Sequence, residues 1–273
     1  MADNSSPFDL AGKVAVVTGG YGTIGGMIAS GLARAHASVA ILGRHRERAD
    51  AKVAEIRRAG GDATPIVADV LEAAQLRHSA ADLRRHFKHV DILVNAAGGN
   101  IMRARSDDRS IFDVPADAFD EVLQLNLHGT VIPSLVFGEI MARQGSGSIV
   151  NISSMAAIQA ISGALGYAVA KAGIDNFTRW LAVELARKHG DGIRVNAIAP
   201  GFFVSTQNRA LLVDENGQPT ARSRRIVERT PMGRFGRPDE LLGAVQWLCS
   251  DASSFVTGAV IPVDGGFSAF SGV

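Results

Sequence analysis

The sequence lacks most features that mark secreted, membrane-spanning or metal-cluster proteins. It has a single cysteine, Cys249, in 273 residues, which excludes an internal disulfide and a cysteine metal cluster. Its formal net charge is +1, so composition gives no reason to expect nucleic acid or an anionic membrane as a partner. No apolar run reaches membrane-spanning length, and residues 1–7 lack the basic-then-apolar order of a signal peptide. We therefore expect a soluble, cytoplasmic protein with Cys249 as a buried structural thiol.

Apolar runs alternate with amphipathic stretches along the chain. The apolar runs predict strands over residues 13–18, 38–42, 64–68, 90–95, 148–152, 193–199 and 259–263. Helical spacing begins near Ile24 and covers residues 46–58, 72–87, 116–143, 164–188 and 238–250. Continuously apolar strands are typical of a parallel sheet covered on both faces. The pattern predicts an α/β fold, namely a single doubly wound Rossmann-type domain over residues 1–273 with a mostly parallel seven-stranded sheet and helices on both faces.

Two stretches interrupt this alternation. Residues 98–115 follow the fourth predicted strand, and residues 202–237 follow the sixth. Ligands of open α/β sheets bind beyond the carboxyl ends of the strands. We therefore expect both stretches to lie beside a ligand, with an irregular substrate lid at about residues 202–237 that excludes water.

A glycine-rich sequence, Thr18-Gly19-Gly20-Tyr21-Gly22-Thr23-Ile24-Gly25-Gly26, follows the first predicted strand. Glycines let a backbone approach a pyrophosphate, and the next helix offers free N–H groups and a positive dipole end. A glycine cluster alone also fits a flexible turn, but this position between strand and helix favours phosphate binding. The candidate cofactor-binding residues of this loop are Gly19, Tyr21, Gly22, Thr23 and Ile24.

The second predicted strand ends in Leu42-Gly43-Arg44, where an acidic residue would accept the ribose hydroxyls of NAD. Arg44, with His45 or Arg46 beside it, would instead pair with a 2′-phosphate, so we favour NADP over NAD. A solvated basic turn is the competing interpretation. On the NADP interpretation, replacing Gly43 with Asp and Arg44 with Leu should shift the preference toward NAD.

Polar and small residues follow the third and fourth predicted strands. Asp69 would accept a hydrogen bond from adenine, cap the next helix, or do both. The sequence Asn95-Ala96-Ala97-Gly98 would leave room for a cofactor, and Asn95 would tie strand ends together. A plain strand-to-loop turn is the alternative for this second segment.

Tyr167 and Lys171 stand four residues apart in a helical stretch and therefore share a face. A phenol with a pKa near ~10 is a poor acid-base group at neutral pH, and a nearby ammonium would lower that pKa. The same spacing is common on helix surfaces. Ser153 and Ser154 follow the fifth predicted strand, where a hydroxyl would hold a carbonyl oxygen beside the tyrosine or form a turn. The sequence has neither the Gly-x-Ser-x-Gly motif of hydrolases nor a His-Glu-x-x-His metal motif.

Together these motifs resemble the classical short-chain dehydrogenase/reductase family, from about Lys13 to the end of the chain. The resemblance implies a catalytic tetrad of Asn126, Ser154, Tyr167 and Lys171. In the implied roles, Tyr167 donates a proton, Ser154 positions the carbonyl oxygen and Asn126 holds a water. Lys171 lowers the pKa of Tyr167 and binds the nicotinamide ribose. The resemblance also implies a homotetramer.

Further cofactor contacts follow from the motifs and the resemblance together. The residues concerned are Arg44, Asp69, Val70, Asn95, Ala96, Ala97, Gly98, Tyr167, Lys171, Pro200 and Gly201. The chain departs from the family's glycine motif at Thr23, because the glycine expected there stands at Gly22 instead.

Within the family, the distal half resembles enzymes of the D-mannonate oxidoreductase (fructuronate reductase) kind. This implies an NAD(P)-dependent oxidoreductase that interconverts a keto and a hydroxy group on a sugar acid, with D-fructuronate and D-mannonate as the best pair. Alternatives are another polyol, a gluconate-type substrate or a ketone. A dinucleotide-binding regulator without catalysis and a nucleotide-sugar epimerase or dehydratase are less favoured. Screening these substrate classes with both cofactors would discriminate among them.

The candidate substrate-binding residues are Asn100, Ser154, Tyr167, Asn208 and Arg209. We predict that Arg209 meets the substrate carboxylate with two parallel hydrogen bonds. Arg103 and Arg105, in the other irregular stretch, are rival candidates. A solvated helix residue or a subunit contact is the alternative role for Arg209.

Overall fold

One seven-stranded parallel sheet forms the centre of the molecule. The structure is a computed structural model that describes residues 6–204 and 212–272. The strand order is β3-β2-β1-β4-β5-β6-β7, and every neighbouring pair is parallel. The strands are β1 Val14–Thr18, β2 Ser38–Gly43, β3 Asp62–Val67, β4 Ile92–Asn95, β5 Gly147–Ile152, β6 Ile193–Pro200 and β7 Val260–Val263. The predicted doubly wound α/β fold is confirmed.

Helices cover both faces of this sheet. They are α1 Thr23–Arg34, α2 Arg46–Arg58, α3 Ala73–Phe87, α4 Ala116–Leu123, α5 Gly129–Gln144, α6 Leu165–His189, α7 Ala221–Arg229 and α8 Leu242–Cys249. One apolar core lies between the sheet and α1, α2 and α8, and a second lies between the sheet and α3, α5 and α6. Strand β1 supplies Ala15 and Val17 to the first core and Val16 to the second, which is why its sequence is apolar throughout. None of the described helices is both long and apolar enough to span a bilayer.

The predicted helix over residues 116–143 is divided by a π-helical turn, Gln124–His128, between α4 and α5. Pro133, inside α5, has no N–H to donate to the Gly129 carbonyl one turn earlier, so regular helical bonding is already broken where the π turn ends. The π turn carries the buried side chain of Asn126. Wide turns of this kind occur frequently at functional sites.

The two irregular stretches contain short elements that the sequence did not predict. Residues 98–115 include the 3₁₀ turns Met102–Ala104 and Ile111–Asp113. The described part of residues 202–237 includes α7, so the prediction of irregular structure is wrong there. Only Ser223 and Ile226 of this helix are buried, and the remaining residues are mainly charged, which left no apolar stripe to recognise. Thr220 caps its N-terminus by accepting from the Ser223 N–H at 3.1 Å.

Cys249 is 3% exposed at the end of α8, as expected of a structural thiol. Burial raises the pKa of its thiol to about 12, so the group stays protonated and unreactive. The neighbouring Arg194 on β6 is also buried, and it donates to the carbonyl oxygens of Leu248 at 2.9 Å and Ser250 at 3.0 Å. These bonds satisfy carbonyl groups at the C-terminal end of α8 and connect that end to the sheet.

Candidate active site and cofactor cleft

A cleft of about 1090 Å³ opens at the carboxyl ends of the central strands, where the strand order reverses between β1 and β4. This is the position at which doubly wound sheets bind ligands. Thirteen of the predicted cofactor-binding residues line it: Gly19, Tyr21, Gly22, Thr23, Ile24, Arg44, Asp69, Val70, Ala96, Ala97, Gly98, Tyr167 and Lys171. Residues from five separate segments of the sequence therefore converge on one cavity.

The glycine-rich loop is packed too closely for side chains. Gly19 has a φ of +61°, and a Cβ there would lie 2.9 Å from the Ala97 Cα. A Cβ on Gly25 would collide with the carbonyl oxygen of Gly19. The N-cap of α1 is Gly22, and the first turn has no acidic residue. Backbone N–H groups and a positive helix end without a competing carboxylate fit a pyrophosphate, and Thr23 lies inside the helix without disturbing this arrangement.

Three predicted cofactor residues lie outside the lining of the cleft. Asn95 is 1% exposed and donates to Asn151 Oδ1 and to Ser134 Oγ, both at 2.8 Å, so it ties β4 to β5 as predicted. Pro200 is buried at the end of β6, and a Cβ on Gly201 would lie 2.7 Å from the Asp264 Cα. In this structure these three residues lie at the carboxyl ends of β4 and β6 and do not line the cleft.

The end of the cleft beside β2 carries Arg44, His45 and Arg48. Asp69 faces Arg44 with a separation of 3.8 Å between Oδ2 and Nη1, and its other carboxylate oxygen accepts from the Leu71 N–H at 3.0 Å. Helix α3 begins only at Ala73, with Glu72 as its N-cap. Asp69 therefore stabilises the turn before α3, and it does not cap the helix.

Tyr167 and Lys171 lie on the first two turns of α6, facing the cleft. Lys171 is 4% exposed; its Nζ donates to the Ile152 carbonyl oxygen at 2.7 Å and lies 5.4 Å from the centre of the Tyr167 ring. Tyr167 packs against the apolar residues Ala104, Ala118 and Val122. The helix-surface alternative is therefore wrong for this pair.

Burial determines the protonation of both groups. It lowers the pKa of Lys171 to about 8, opposed by the attraction of Asp175. It also raises the pKa of Tyr167, opposed by a hydrogen bond with the Ser154 side chain. The predicted lowering of the tyrosine pKa by Lys171 is therefore not observed, because loss of water around the phenol outweighs the favourable interactions.

Ser154 and Asn126 complete the predicted tetrad. Ser154 Oγ accepts from the Ala156 N–H at 3.1 Å and bonds to the Tyr167 side chain, so it both caps a turn and faces the tyrosine. Asn126 donates to the Gly99 carbonyl oxygen at 2.7 Å and accepts from the Gly99 N–H at 3.0 Å. A Cβ on Gly98 would lie 2.7 Å from Asn126 Oδ1 and 3.6 Å from Lys171 Nζ, which shows that these two groups approach the same turn.

The rival carboxylate-binding arginines are already paired. Arg103 donates to Asp117 at 2.8 Å, and Arg105 Nε donates to Asp107 at 2.6 Å. Asn100 Oδ1 accepts from the N–H of the next residue, Ile101, at 3.0 Å. The predicted substrate residues Asn208 and Arg209 lie outside the described residues.

Two interacting groups, one beside Lys171 and one in α7, were missed from the sequence. Asp175 is 5% exposed on α6, one turn beyond Lys171, and Ser153 Oγ donates to its carboxylate. The four-residue spacing from Lys171 was a usable signal, but the pairing of Ser153 with Asp175 spans 22 positions and depends on the fold. Arg222 of α7 bonds to Asp107 at 3.0 Å and is the second group. In the part of the chain that the structure describes, no cluster of His, Cys, Asp or Glu is arranged to hold a metal.

A cleft at the point where the strand order reverses, lined by a glycine-rich loop, by the partly buried Tyr167 and by the buried Lys171, defines the class of dinucleotide-dependent oxidoreductases. The family model described as enoyl-(acyl carrier protein) reductase matches residues 20–268. An uncharacterized oxidoreductase of Bacillus subtilis (strain 168), UxuB, is 44% identical over 275 residues, covering 97% of this chain and 98% of that protein.

Two solved structures extend the comparison. One, from Haemophilus influenzae, is provisionally assigned as a D-mannonate oxidoreductase and holds NAD; it is 42% identical, with a TM-score of 0.91 over 97% of this chain and 98% of its own. The other, a gluconate 5-dehydrogenase of Burkholderia cenocepacia J2315 with NADP and tartrate, is 34% identical, with a TM-score of 0.87 over 97% of this chain and 98% of its own. The chain belongs to the short-chain dehydrogenase/reductase family and is an oxidoreductase of that family, as its motifs predicted.

Proposed function

We propose that this protein interconverts a keto and a hydroxy group on a sugar acid with NADP, and that D-fructuronate and D-mannonate are the pair. The observation that carries the proposal is the convergence of Ser154, Tyr167 and Lys171 beside the dinucleotide-type cleft. Sugar acids are supported by the two structural neighbours, described as a D-mannonate oxidoreductase and a gluconate 5-dehydrogenase. A gluconate-type substrate is the second candidate, on the strength of the latter.

In the proposed reduction, the side chains of the tetrad bind the carbonyl and supply its proton. A bound nicotinamide cofactor supplies the hydride. Tyr167 donates its phenolic proton to the carbonyl oxygen, and its raised pKa keeps that proton in place at neutral pH. Ser154 positions the oxygen beside the tyrosine. Lys171 would hold the nicotinamide ribose, and Asn126 fixes the Gly99 backbone over this end of the cleft.

The proposed preference for NADP is supported by Gly43 and by the basic side chains beside it. Arg44, His45 and Arg48 are exposed at the adenosine end of the cleft, where a 2′-phosphate would find donors. The Haemophilus structure holds NAD and the Burkholderia structure holds NADP, so the family accommodates both cofactors.

For the substrate carboxylate we retain Arg209, within a lid proposed for about residues 202–237 of a single domain, residues 1–273. The pairing of Arg103 with Asp117 and of Arg105 with Asp107 weakens both rivals, because each guanidinium already has a carboxylate. A homotetramer in the cytoplasm remains part of the same proposal. The oligomeric state is supported by the apolar outer surface of α5 and α6.

The proposal is tested with purified protein, both cofactors, and a panel of uronates, aldonates and neutral polyols. We expect the highest kcat/KM with a keto sugar acid and NADPH. Arg209→Met should raise KM for that acid and spare a neutral analogue, at a cost of roughly 1.5–3 kcal/mol in transition-state binding. Activity on neutral polyols with none on any uronate or aldonate would refute the sugar-acid assignment.

A further inference from the structure

Gly43, the last residue of β2, lies directly beneath the ring of Tyr21 from the glycine-rich loop. A Cβ on Gly43 would lie 2.6 Å from both Cζ and Oη of Tyr21 and would also collide with its Cε1. Gly43 is not among the described glycines with positive φ, so its backbone does not require glycine. The absence of a side chain at this position is therefore explained by Tyr21.

Three contacts fix the position of the Tyr21 ring. The N–H of His45 donates to Tyr21 Oη at 3.2 Å. The guanidinium of Arg48 lies over the ring, 4.7 Å from its centre. Tyr21, Gly43, His45 and Arg48 all line the cleft, so the ring forms part of its wall. The tyrosine thus links the phosphate loop to the turn between β2 and α2.

We propose that Tyr21 is a specificity-determining residue of the cofactor site. Its ring occupies the space in which an acidic side chain at position 43 would accept the ribose hydroxyls of NAD. Its hydroxyl contacts the turn that carries Arg44 and His45, and its ring contacts Arg48 in the first turn of α2, so that these basic side chains face the place of a 2′-phosphate. The role of Tyr21 in orienting the basic side chains rests on the proposed NADP preference. Its exclusion of an acidic side chain at position 43 depends only on the packing of Tyr21 on Gly43.

The packing alters the expectation drawn from the sequence for Gly43→Asp with Arg44→Leu. An aspartate at position 43 cannot be built while the tyrosine ring stays where it is. We therefore expect that change to damage the cleft, and to favour NAD only when Tyr21 is also made small. The effects of substitutions at positions 21 and 43 should accordingly be strongly non-additive.

The experiment compares Tyr21→Ala, Tyr21→Phe, Gly43→Asp and the double variant Tyr21→Ala/Gly43→Asp with the unmodified chain. Calorimetric titration with adenosine 2′,5′-bisphosphate and with 5′-AMP measures affinity at the adenosine end without any turnover, and NADP and NAD are titrated in parallel. Thermal melting followed by circular dichroism checks that each variant is folded.

We expect Gly43→Asp alone to weaken 5′-AMP and NAD at least tenfold, and the double variant to recover that loss and to bind NAD better than Tyr21→Ala does. Tyr21→Ala should weaken the 2′,5′-bisphosphate about fivefold to tenfold relative to 5′-AMP, while Tyr21→Phe, which keeps the ring, should lose less. If Gly43→Asp does not fold, recovery of a folded, NAD-binding protein in the double variant supports the same inference.

Equal affinity of Gly43→Asp and the double variant for NAD and for 5′-AMP would overturn the inference, since position 43 would then be independent of Tyr21. An unchanged ratio of the affinities for the two fragments in Tyr21→Ala would overturn the role of the ring in orienting the basic side chains. Tighter binding of NAD than NADP by the unmodified chain is a different result. It would refute the proposed cofactor preference, and additivity of the two substitutions would still decide the steric relation.

Discussion

Burial favours the uncharged forms of both titratable side chains at the centre of the site. The phenol of Tyr167 has its pKa raised and the ammonium of Lys171 has its pKa lowered to about 8, each chiefly through loss of water. A protonated phenol suits proton donation to a carbonyl, whereas the reverse reaction needs the phenolate. The protonation state held in the structure is therefore the one from which Tyr167 can act as the acid in reduction.

Removing the phenolic hydroxyl should lower the rate of the chemical step without changing the affinity for the cofactor. Tyr167→Phe keeps the ring that packs against Ala104 and Val122, so the cleft and its affinity for NADPH should be preserved. The loss of the acid should lower kcat by roughly 10²–10⁴-fold. Stopped-flow turnover and NADPH fluorescence titration measure the two properties separately. Near-normal turnover with cofactor still bound would rule out Tyr167 as the proton donor.

The buried carboxylate of Asp175 should influence the pH dependence through Lys171. Its attraction raises the pKa of that ammonium, so Asp175→Asn should lower the pKa of Lys171 below about 8. The alkaline limb of the kcat profile should then move toward lower pH, by up to about one unit. Arg179 and Ser153 are the other groups that act on Asp175, and an asparagine can still bond to Ser153.

Ser153→Ala is the matched control for this effect, because it removes the hydrogen bond and leaves the carboxylate charge. We expect its alkaline limb to stay near that of the unmodified enzyme. An unchanged alkaline limb in Asp175→Asn would show that the charge of Asp175 does not influence the pKa of Lys171.

At the residue scale, the identity and placement of the reacting side chains were more predictable than the shifts of their pKa values. The four-residue spacing of Tyr167 and Lys171 placed both on one helix face, and they do face the same cleft. The direction of the tyrosine pKa was not predictable, because desolvation depends on segments distant in sequence that cover the phenol. The pairings of Arg103 and Arg105 with acidic residues likewise follow from loop conformation.

At the scale of elements, an ion network joins the two stretches that interrupt the fold. Asp107, in residues 98–115, bonds to Arg105 at 2.6 Å and to Arg222 of α7 at 3.0 Å. Arg222 also donates to the Ser162 carbonyl oxygen at 3.3 Å, close to the start of α6. The Asp107 and Arg222 side chains are 30% and 28% exposed, so the network is partly shielded from solvent. It fixes α7 over the segment that leads to Tyr167.

Breaking this network should loosen α7 without touching the tetrad. Asp107→Asn removes the charge shared by Arg105 and Arg222, and we expect hydrogen exchange in residues 221–229 to become several-fold faster. KM should rise about threefold to tenfold while kcat stays within twofold, which corresponds to roughly 1 kcal/mol of lost positioning. Asp108→Asn is the control, since its side chain is 79% exposed and, among the described residues, its ion pair is with Arg109. Equal effects of the two substitutions would contradict a specific role for the network.

The elements that the sequence predicted correctly are those with an apolar stripe or run. Helix α2 has its predicted bounds, Arg46–Arg58, because Ala49, Val53 and Ile56 mark its buried face. Helix α7 was missed because its charges outnumber its buried residues. Strand β3 begins two residues before its predicted start, at Asp62, and contains Pro65, which an edge strand tolerates because no partner requires its N–H.

At the scale of the whole molecule, the alternation of apolar runs was enough to predict the sheet and its layers. Seven runs gave seven strands, and burial on both faces explains why they lack a polar alternation. The alternation did not predict the strand order β3-β2-β1-β4-β5-β6-β7, because the handedness of crossovers does not determine which strands are neighbours. It also does not determine how the outer surface of the molecule meets other copies.

That surface carries an apolar groove between α5 and α6. Trp180 and Val183 of α6 are each 58% exposed, and Leu135 of α5 is 55% exposed. A cavity of about 410 Å³ beside them is lined by Val131, Ile132, Phe177 and Trp180 among others. Ile132 and Phe177 also pack against the core, whereas Leu135, Trp180 and Val183 belong to neither core cluster. A buried tryptophan contributes 150–250 Å², so symmetric pairing of this face would remove a large apolar area from water.

We therefore expect Trp180→Glu to dissociate the proposed homotetramer. A charge at the centre of an apolar contact is unpaired on both copies, and the cost is repeated at each symmetric interface. Light scattering at micromolar concentration should show a fall from four copies to two or one, with the circular dichroism spectrum unchanged. Phe112→Glu is the control, because this side chain is 94% exposed and belongs to residues 98–115, outside α5 and α6. A single-copy mass for the unmodified chain, or an unaltered mass in Trp180→Glu, would show that this groove is not the contact.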